Sequence, residues 1–262
     1  MVVTGGLEYG RAGLMGVLTP QANTTVEPEL WTLLPPGWSM LNARLTSDKG
    51  TIAERLVDYT ARFRDTAAEF ANAPVEVIAA ACTGASYLIG VEAEARIVAE
   101  VEAARGVPFL TAALASVAAL RRMGAERIAL LSPYPEELNR VCKPYWEAHG
   151  FAIAATDGPA LEGAAFHPIY AMEGAAVLDA YRRLSQTGAD AVLMLGTGMA
   201  TLHPILAGRE EGLAPAISCN LALVWAAAQK RRWDDLGEGD LSVWRSGSHW
   251  RDRLHMLFPA SA

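Results

Sequence analysis

The sequence predicts an α/β protein built as two similar lobes with parallel sheets, and two observations carry that prediction. The first is an internal repeat. Ala81-Cys82-Thr83-Gly84-Ala85-Ser86 closes one apolar run and Leu195-Gly196-Thr197-Gly198-Met199-Ala200 closes another, each run beginning near an acid, Glu76 or Asp190. Upstream, Leu18-Thr19-Pro20 matches Leu131-Ser132-Pro133 at nearly the same offset. A third pair, Pro108-Phe109-Leu110-Thr111 and Pro215-Ala216-Ile217-Ser218, is more closely spaced, so the second copy must have a shorter loop or helix. The unit is far longer than the roughly 20–50 residues of a solenoid repeat. The second observation is the alternation of short apolar runs with helical periodicity, the signature of helices packed on parallel strands.

The elements follow in order. Ala12 to Leu18 reads as a strand. A polar turn comes next, in which Asn23, Thr24 or Thr25 can cap a helix entered at Val26-Glu27-Pro28-Glu29. Thr51 to Asn72 carries Ile52, Leu56, Tyr59 and Phe63 at helical spacing, and Val75 to Ala81 is a buried-strand run, which puts Cys82 at a strand's carboxyl end. Val91 to Ala104 is helical, Pro108 to Leu110 a short strand and Ala112 to Met123 a helix. Arg127 to Leu131 then opens the second lobe, followed by helices over Pro135–His149 and Gly174–Thr187 and a strand over Asp190–Leu195. We expect one lobe over residues 1–118, with 219–262 packing back on it, and a second over 119–218.

Composition bounds the function. The chain has 262 residues, 52% of them hydrophobic, which is ample for a core without staples. Cys82, Cys142 and Cys219 are odd in number and lack metal-ligand or disulfide spacing, so a reducing cytoplasm is the expected setting. A net charge of −7 argues against nucleic acid, and Lys230-Arg231-Arg232 reads as a solvated helix end. No stretch approaches the roughly 20 apolar residues of a membrane span, and no signal peptide is indicated. Gly196-Thr197-Gly198 lacks the third glycine of a dinucleotide fingerprint, and no metal site or nucleotide loop is evident, so no cofactor is expected.

Chemistry belongs at the carboxyl ends of the strands. In facing lobes, the loops after Thr19, Ala81, Ser132 and Leu195 converge on one cleft. Cys82 near the first turn of a helix is placed where unpaired N–H groups and the helix dipole favour a thiolate. Thr83, Thr197 and the N–H groups of the two Thr-Gly turns can bind a carboxylate or a developing enediolate. Cys142 and Cys219 read as core.

At these residues a family resemblance enters. Pro20-Gln21-Ala22-Asn23-Thr24-Thr25-Val26-Glu27, Ala81-Cys82-Thr83, Ser132-Pro133-Tyr134 with Asn139, and Leu195-Gly196-Thr197-Gly198 together resemble the maleate isomerase and arylmalonate decarboxylase branch of the aspartate/glutamate racemase superfamily, over roughly Leu14 to Trp225. The resemblance implies pseudo-symmetric Rossmann-like lobes, an active-site cleft between them and cofactor-free cysteine chemistry. It implies that Asn23 binds a substrate carboxylate, that Cys82 is the first-lobe cysteine, that Tyr134 stands in the cleft as a catalytic partner and that Thr83 hydrogen-bonds a carboxylate. Gly84, Gly196, Thr197 and Gly198 complete the expected binding turns. The departure is Gly196. Racemases and maleate isomerases usually have a second cysteine there, and arylmalonate decarboxylase has its single cysteine there, with glycine opposite.

A two-base racemase needs an acid and a base on opposite faces, which one thiol does not supply. The expectation is therefore decarboxylation of a small substituted malonate, through an enediolate protonated by Cys82. The alternatives are maleate-type cis–trans isomerisation with Cys82 as nucleophile, and a non-catalytic protein that binds a small carboxylate. Arg44 is a further candidate carboxylate ligand, and His167 or His203 a candidate for the missing acid or base. Tyr87, Tyr170 and Met199 suggest room for an apolar substituent. Trp225, Trp233, Trp244 and Trp250 read as a core edge or a subunit interface, which leaves homo-oligomerisation open.

Overall fold

The computed structural model describes residues 6–159, 168–229 and 241–259. Two four-stranded parallel sheets organise the chain. The first contains β1 (Gly13–Pro20), β2 (Trp38–Leu45), β3 (Val77–Ala80) and β4 (Phe109–Thr111), in the order β2-β1-β3-β4. The second contains β5 (Arg127–Leu131), β6 (Ala152–Asp157), β7 (Ala191–Met194) and β8 (Ala216–Ser218), in the order β6-β5-β7-β8. The orders coincide strand for strand, so the short repeated motifs report a repeated topology.

The helices are α1 (Val26–Leu33), α2 (Ile52–Ala68), α3 (Thr83–Ile89), α4 (Val91–Arg105), α5 (Ala112–Arg122), α6 (Glu136–Ala148), α7 (Gly174–Ser185), α8 (Leu202–Glu210), α9 (Cys219–Ala228), α10 (Leu241–Ser246) and α11 (Arg251–Leu257). Local chemistry sets their starts. Thr51 and Glu54 form a reciprocal capping box at α2, and Asn23 Oδ1 accepts the N–H groups of Thr25 and Val26 at α1. The third repeat pair has a plain meaning: Thr111 caps α5 and Ser218 caps α9, each hydroxyl accepting an N–H three residues on. The closer spacing of that pair also has a structural cause. The first lobe runs from β3 directly into the seven-residue α3, whereas the second lobe crosses from β7 to α8 by an open turn.

Several elements escaped the pattern, among them β2, β6 and α8. In β2 exposed, half-buried and buried positions mix; β6 is nowhere fully buried; α8 has weak amphipathicity around Pro204. The core is continuous across both lobes, and α9 packs on α5 and α1 and against β3 and β4. Trp225 and Trp250 are fully buried and Trp244 nearly so; Trp233, His167 and Lys230-Arg231-Arg232 lie outside the described residues. Helix α11 returns to α1, where Arg253 donates to the carbonyls of Trp31, Thr32 and Leu34 and so closes the α1 C-terminus.

Candidate active site

The loops after β1, β3, β5 and β7 meet at a cavity of about 500 Å³. Pro20, Asn23, Cys82, Thr83, Gly84, Pro133, Tyr134, Gly196, Thr197 and Gly198 line it, joined by Ile52, Arg55, Leu56 and Tyr59 from α2 and by Ile169 and Tyr170 from the 3-10 turn Pro168–Ala171. Nine sequence-stated candidates were Cys82, Tyr134, Asn23, Thr83, Gly84, Gly196, Thr197, Gly198 and Arg44; the structure gathers all but Arg44 into one wall.

Cys82 is the N-cap residue of α3, with extended backbone, and is 4% exposed. The Ala85 N–H faces its sulfur and favours the thiolate, but burial outweighs it and pushes the thiol up to about 12. That corrects the expected thiolate. A displacement of this size is worth roughly 4 kcal/mol, against roughly 0.3–1 kcal/mol for a helix terminus. Burial therefore favours S–H for Cys82 in the unliganded cavity.

Tyr134 is fixed by its own loop: Ser132 Oγ accepts its N–H, and Asn139 Nδ2 donates to its carbonyl. Its hydroxyl lies 3.1 Å from Thr83 Oγ1 across the lobe boundary, and burial holds its pKa well above the ordinary tyrosine value, so it stays a proton donor. Burial also raises Tyr59 and Tyr170, and a charge on Cys82 would raise them further. Thr197 joins the two turn copies directly, because its hydroxyl donates to Ala81 O at 2.7 Å and accepts from Asn23 Nδ2 at 3.1 Å. Its one hydroxyl proton is thus committed, and what it can offer a ligand is its backbone N–H. Asn23 retains a second amide hydrogen.

The glycines have distinct reasons. Gly196 has φ +78°, and a Cβ there would lie 2.9 Å from Pro133 Cγ and 3.3 Å from the Tyr134 hydroxyl. A Cβ at Gly198 would strike the Tyr170 ring at 2.3 Å. The Gly196 N–H is directed at the sulfur of Cys219, which burial pushes up to about 11. That N–H therefore does not face the cavity as an oxyanion donor.

Arg44 is placed elsewhere. Its guanidinium pairs with Glu27 and donates to Asn23 O, so it braces the β1–α1 loop and is no part of the cavity wall. His203 borders a second cavity, bonded to Phe258 O and stacked on His255, and is not placed to serve Cys82. Tyr87 and Met199 are buried behind the wall, whereas Tyr170 is in it. Sequence reasoning missed Arg55 and the polar use of Tyr59. Both lie on the face of α2 whose helical spacing was read as core, and the Arg and Tyr on that face were the available signal. Among the described residues no group of three His, Cys, Asp or Glu side chains is placed to hold a metal ion, and no helix is long and apolar enough to cross a membrane.

The arylmalonate decarboxylase family model matches residues 15–242. The chain belongs to the arylmalonate decarboxylase family. Within it, similarity extends to maleate isomerases: that of Nocardia farcinica is 34% identical over 190 residues, covering 69% of this chain and 74% of that protein. Among solved structures, a variant of the Nocardia farcinica maleate cis-trans isomerase with a covalently bound succinylcysteine intermediate has a TM-score of 0.72 at 27% identity, covering 83% of this chain and 92% of that one. A liganded double variant of arylmalonate decarboxylase, glycine to cysteine and cysteine to serine, has a TM-score of 0.71 at 21% identity, covering 83% and 91%, and shares the fold. The family's two-lobed α/β architecture is the one described above.

Proposed function

We propose that this chain is a cofactor-free cis–trans isomerase of a small maleate-type diacid, with Cys82 as its one reacting thiol. The observation that carries the reading is a lone buried thiol in a cavity walled by two Thr-Gly turns and Tyr134, in a chain that resembles maleate isomerases along most of their length.

The raised thiol sets the chemistry. Cys82 does not ionise unaided at neutral pH, so the dianionic substrate supplies the base: one carboxylate takes the S–H proton as the sulfur bonds to an alkene carbon. The alkene π electrons move into the adjacent carboxyl as an enediolate, held by the second amide hydrogen of Asn23, the Tyr134 hydroxyl and the first-turn N–H groups of α3. The former double bond is now single and rotates. The enediolate then collapses, the C–S bond breaks, and the sulfur recovers its proton. No atom is gained or lost.

A second reading is favoured by one observation, the S–H state itself. A thiol that keeps its proton suits protonation of an enediolate left by loss of carbon dioxide from a substituted malonate. Proton NMR in D2O separates the two. Fumarate from maleate, abolished in Cys82→Ala, supports the isomerase; deuterium at the α-carbon of a monoacid formed from an aryl-methyl malonate replaces it with the decarboxylase. Binding of both without turnover would refute both and leave a carboxylate-binding protein.

We also divide the chain into lobes at 1–118 with 219–262, and 119–218. The packing of α9 on β3 and β4 and of Arg253 on the end of α1 supports returning the last segment to the first lobe.

A further inference from the structure

Glu29 is a carboxylate that the chemistry above does not use. It lies on α1 in the first lobe, is 6% exposed, and is absent from the wall of the Cys82 cavity. Its bonds go to Thr201 and Leu202 in the second lobe and to Asn220 on α9. Oε1 accepts the N–H groups of Thr201 at 2.5 Å and Leu202 at 3.2 Å, and the Thr201 hydroxyl lies 3.0 and 3.1 Å from the two oxygens. Oε2 accepts Asn220 Nδ2 at 2.7 Å, and the same amide donates to Thr197 O at 3.1 Å. A side chain from one lobe thus caps α8 of the other and, through Asn220, holds the carbonyl of the Thr197 turn.

Two neighbours of Glu29 reinforce the same turn. Asn23 donates to Thr197 Oγ1, and Thr25 Oγ1 donates to Gly198 O at 2.7 Å. The second-lobe turn, which carries glycine in place of a cysteine and enters no helix directly, is therefore ordered from outside its own lobe. Each of Glu29's partners offers a hydrogen. A carboxylate accepts from all of them, whereas an amide of the same shape turns an NH2 group against at least one donor.

We propose that Glu29 is a positioning residue that acts through Asn220 and Thr201 to fix the Thr197-Gly198 turn where its N–H groups meet the substrate. This rests on the reading that the turn contacts a carboxylate, so the test has one readout that needs no substrate. In full-length protein labelled with 13C at threonine methyls, Glu29→Gln is expected to shift and broaden the Thr197 methyl resonance and leave that of Thr60, on α2, in place. With maleate, Glu29→Gln is expected to lower kcat about 10- to 100-fold with KM little changed. In an Asn220→Ala background, where the bridge to the Thr197 carbonyl is already gone, the same substitution is expected to cost much less.

An unmoved Thr197 resonance, or the same fold-loss in both backgrounds, would overturn the proposal, because a merely structural carboxylate lowers thermal stability without coupling to Thr197. Should Glu29→Gln not fold, Asn220→Ala breaks the bridge alone, and the Thr197 resonance decides in the same way. If the wild type turns over no maleate, the functional reading fails while the methyl spectra still decide the role of Glu29.

Discussion

Restoring a cysteine at Gly196 is the perturbation that most directly probes why this site has one thiol. At φ +78° the backbone is in the left-handed region, which costs a residue with a side chain about 1–2 kcal/mol. A new Cβ would also lie 2.9 Å from Pro133 Cγ, 3.1 Å from Ile169 Cδ1 and 3.3 Å from the Tyr134 hydroxyl, an overpacking of roughly 1–3 kcal/mol. Together these predict a loss of about 2–5 kcal/mol, or about 4–20 °C in Tm for a chain of this size. Differential scanning calorimetry of Gly196→Ala and Gly196→Cys tests it, and alanine should account for most of the loss because the conflict begins at Cβ. Turnover should fall rather than rise, since relief of the clash moves Tyr134. A Gly196→Cys protein with unchanged Tm, or with higher activity, would refute the claim that backbone geometry excludes the second thiol.

Three further outcomes follow from the same structure. With its thiol pushed up to about 12, Cys82 should react with iodoacetamide at pH 8 about three orders of magnitude more slowly than an ordinary thiol; site-resolved mass spectrometry checks this, and a rate that levels off below pH 9 contradicts it. Arg253→Ala should lower stability by roughly 1–3 kcal/mol in urea titration, because it strips charge-assisted bonds from the α1 C-terminus. Asp190 accepts the N–H groups of Glu126 and Arg127, which hold its pKa below the ordinary value, so its stabilisation is full above that value and lost as pH falls through the depressed one. Asp190→Asn should therefore lower Tm at pH 7 and converge with the wild type only in acid, below the depressed value. Burial raises Glu29, against the hydrogen bonds from Thr201, Asn220 and Leu202, which favour its carboxylate.

The fold was legible wherever one face was fully buried. The runs at β1, β3, β5 and β7 are buried along their whole length except at the exposed Arg127, and their ends predicted the four loops that meet at the cavity. The outer strands β2 and β6 were not, because partial exposure removes the hydrophobic signal. Site residues on the repeated turns could be read from the repeat. Arg55 and Tyr59 could not, since helical spacing records only that a face is covered and not whether core or ligand covers it. The thiol's ionisation was misjudged for a related reason. Sequence places Cys82 beside a helix terminus, but only the packed surroundings disclose how little water remains to solvate a charge.

Two buried carboxylates argue that the cleft does not open by separating the lobes. Glu29 reaches from the first lobe to Thr201 and Asn220, and Glu94, on α4, accepts the hydroxyl of Tyr145 on α6 at 2.5 Å while also holding Ser86 and Thr111. Separating the lobes would take Thr201 and Leu202 from Glu29 and the Tyr145 hydroxyl from Glu94, at about 1–3 kcal/mol for each group left unsatisfied, and would divide a core that runs through both lobes. Gly50 and Ile52 at the start of α2 and Pro135 and Leu138 at the start of α6 line the same cavity. The two copies diverge at their turns: one runs into a helix that presents a thiol, and the other remains an open turn braced from across the cleft.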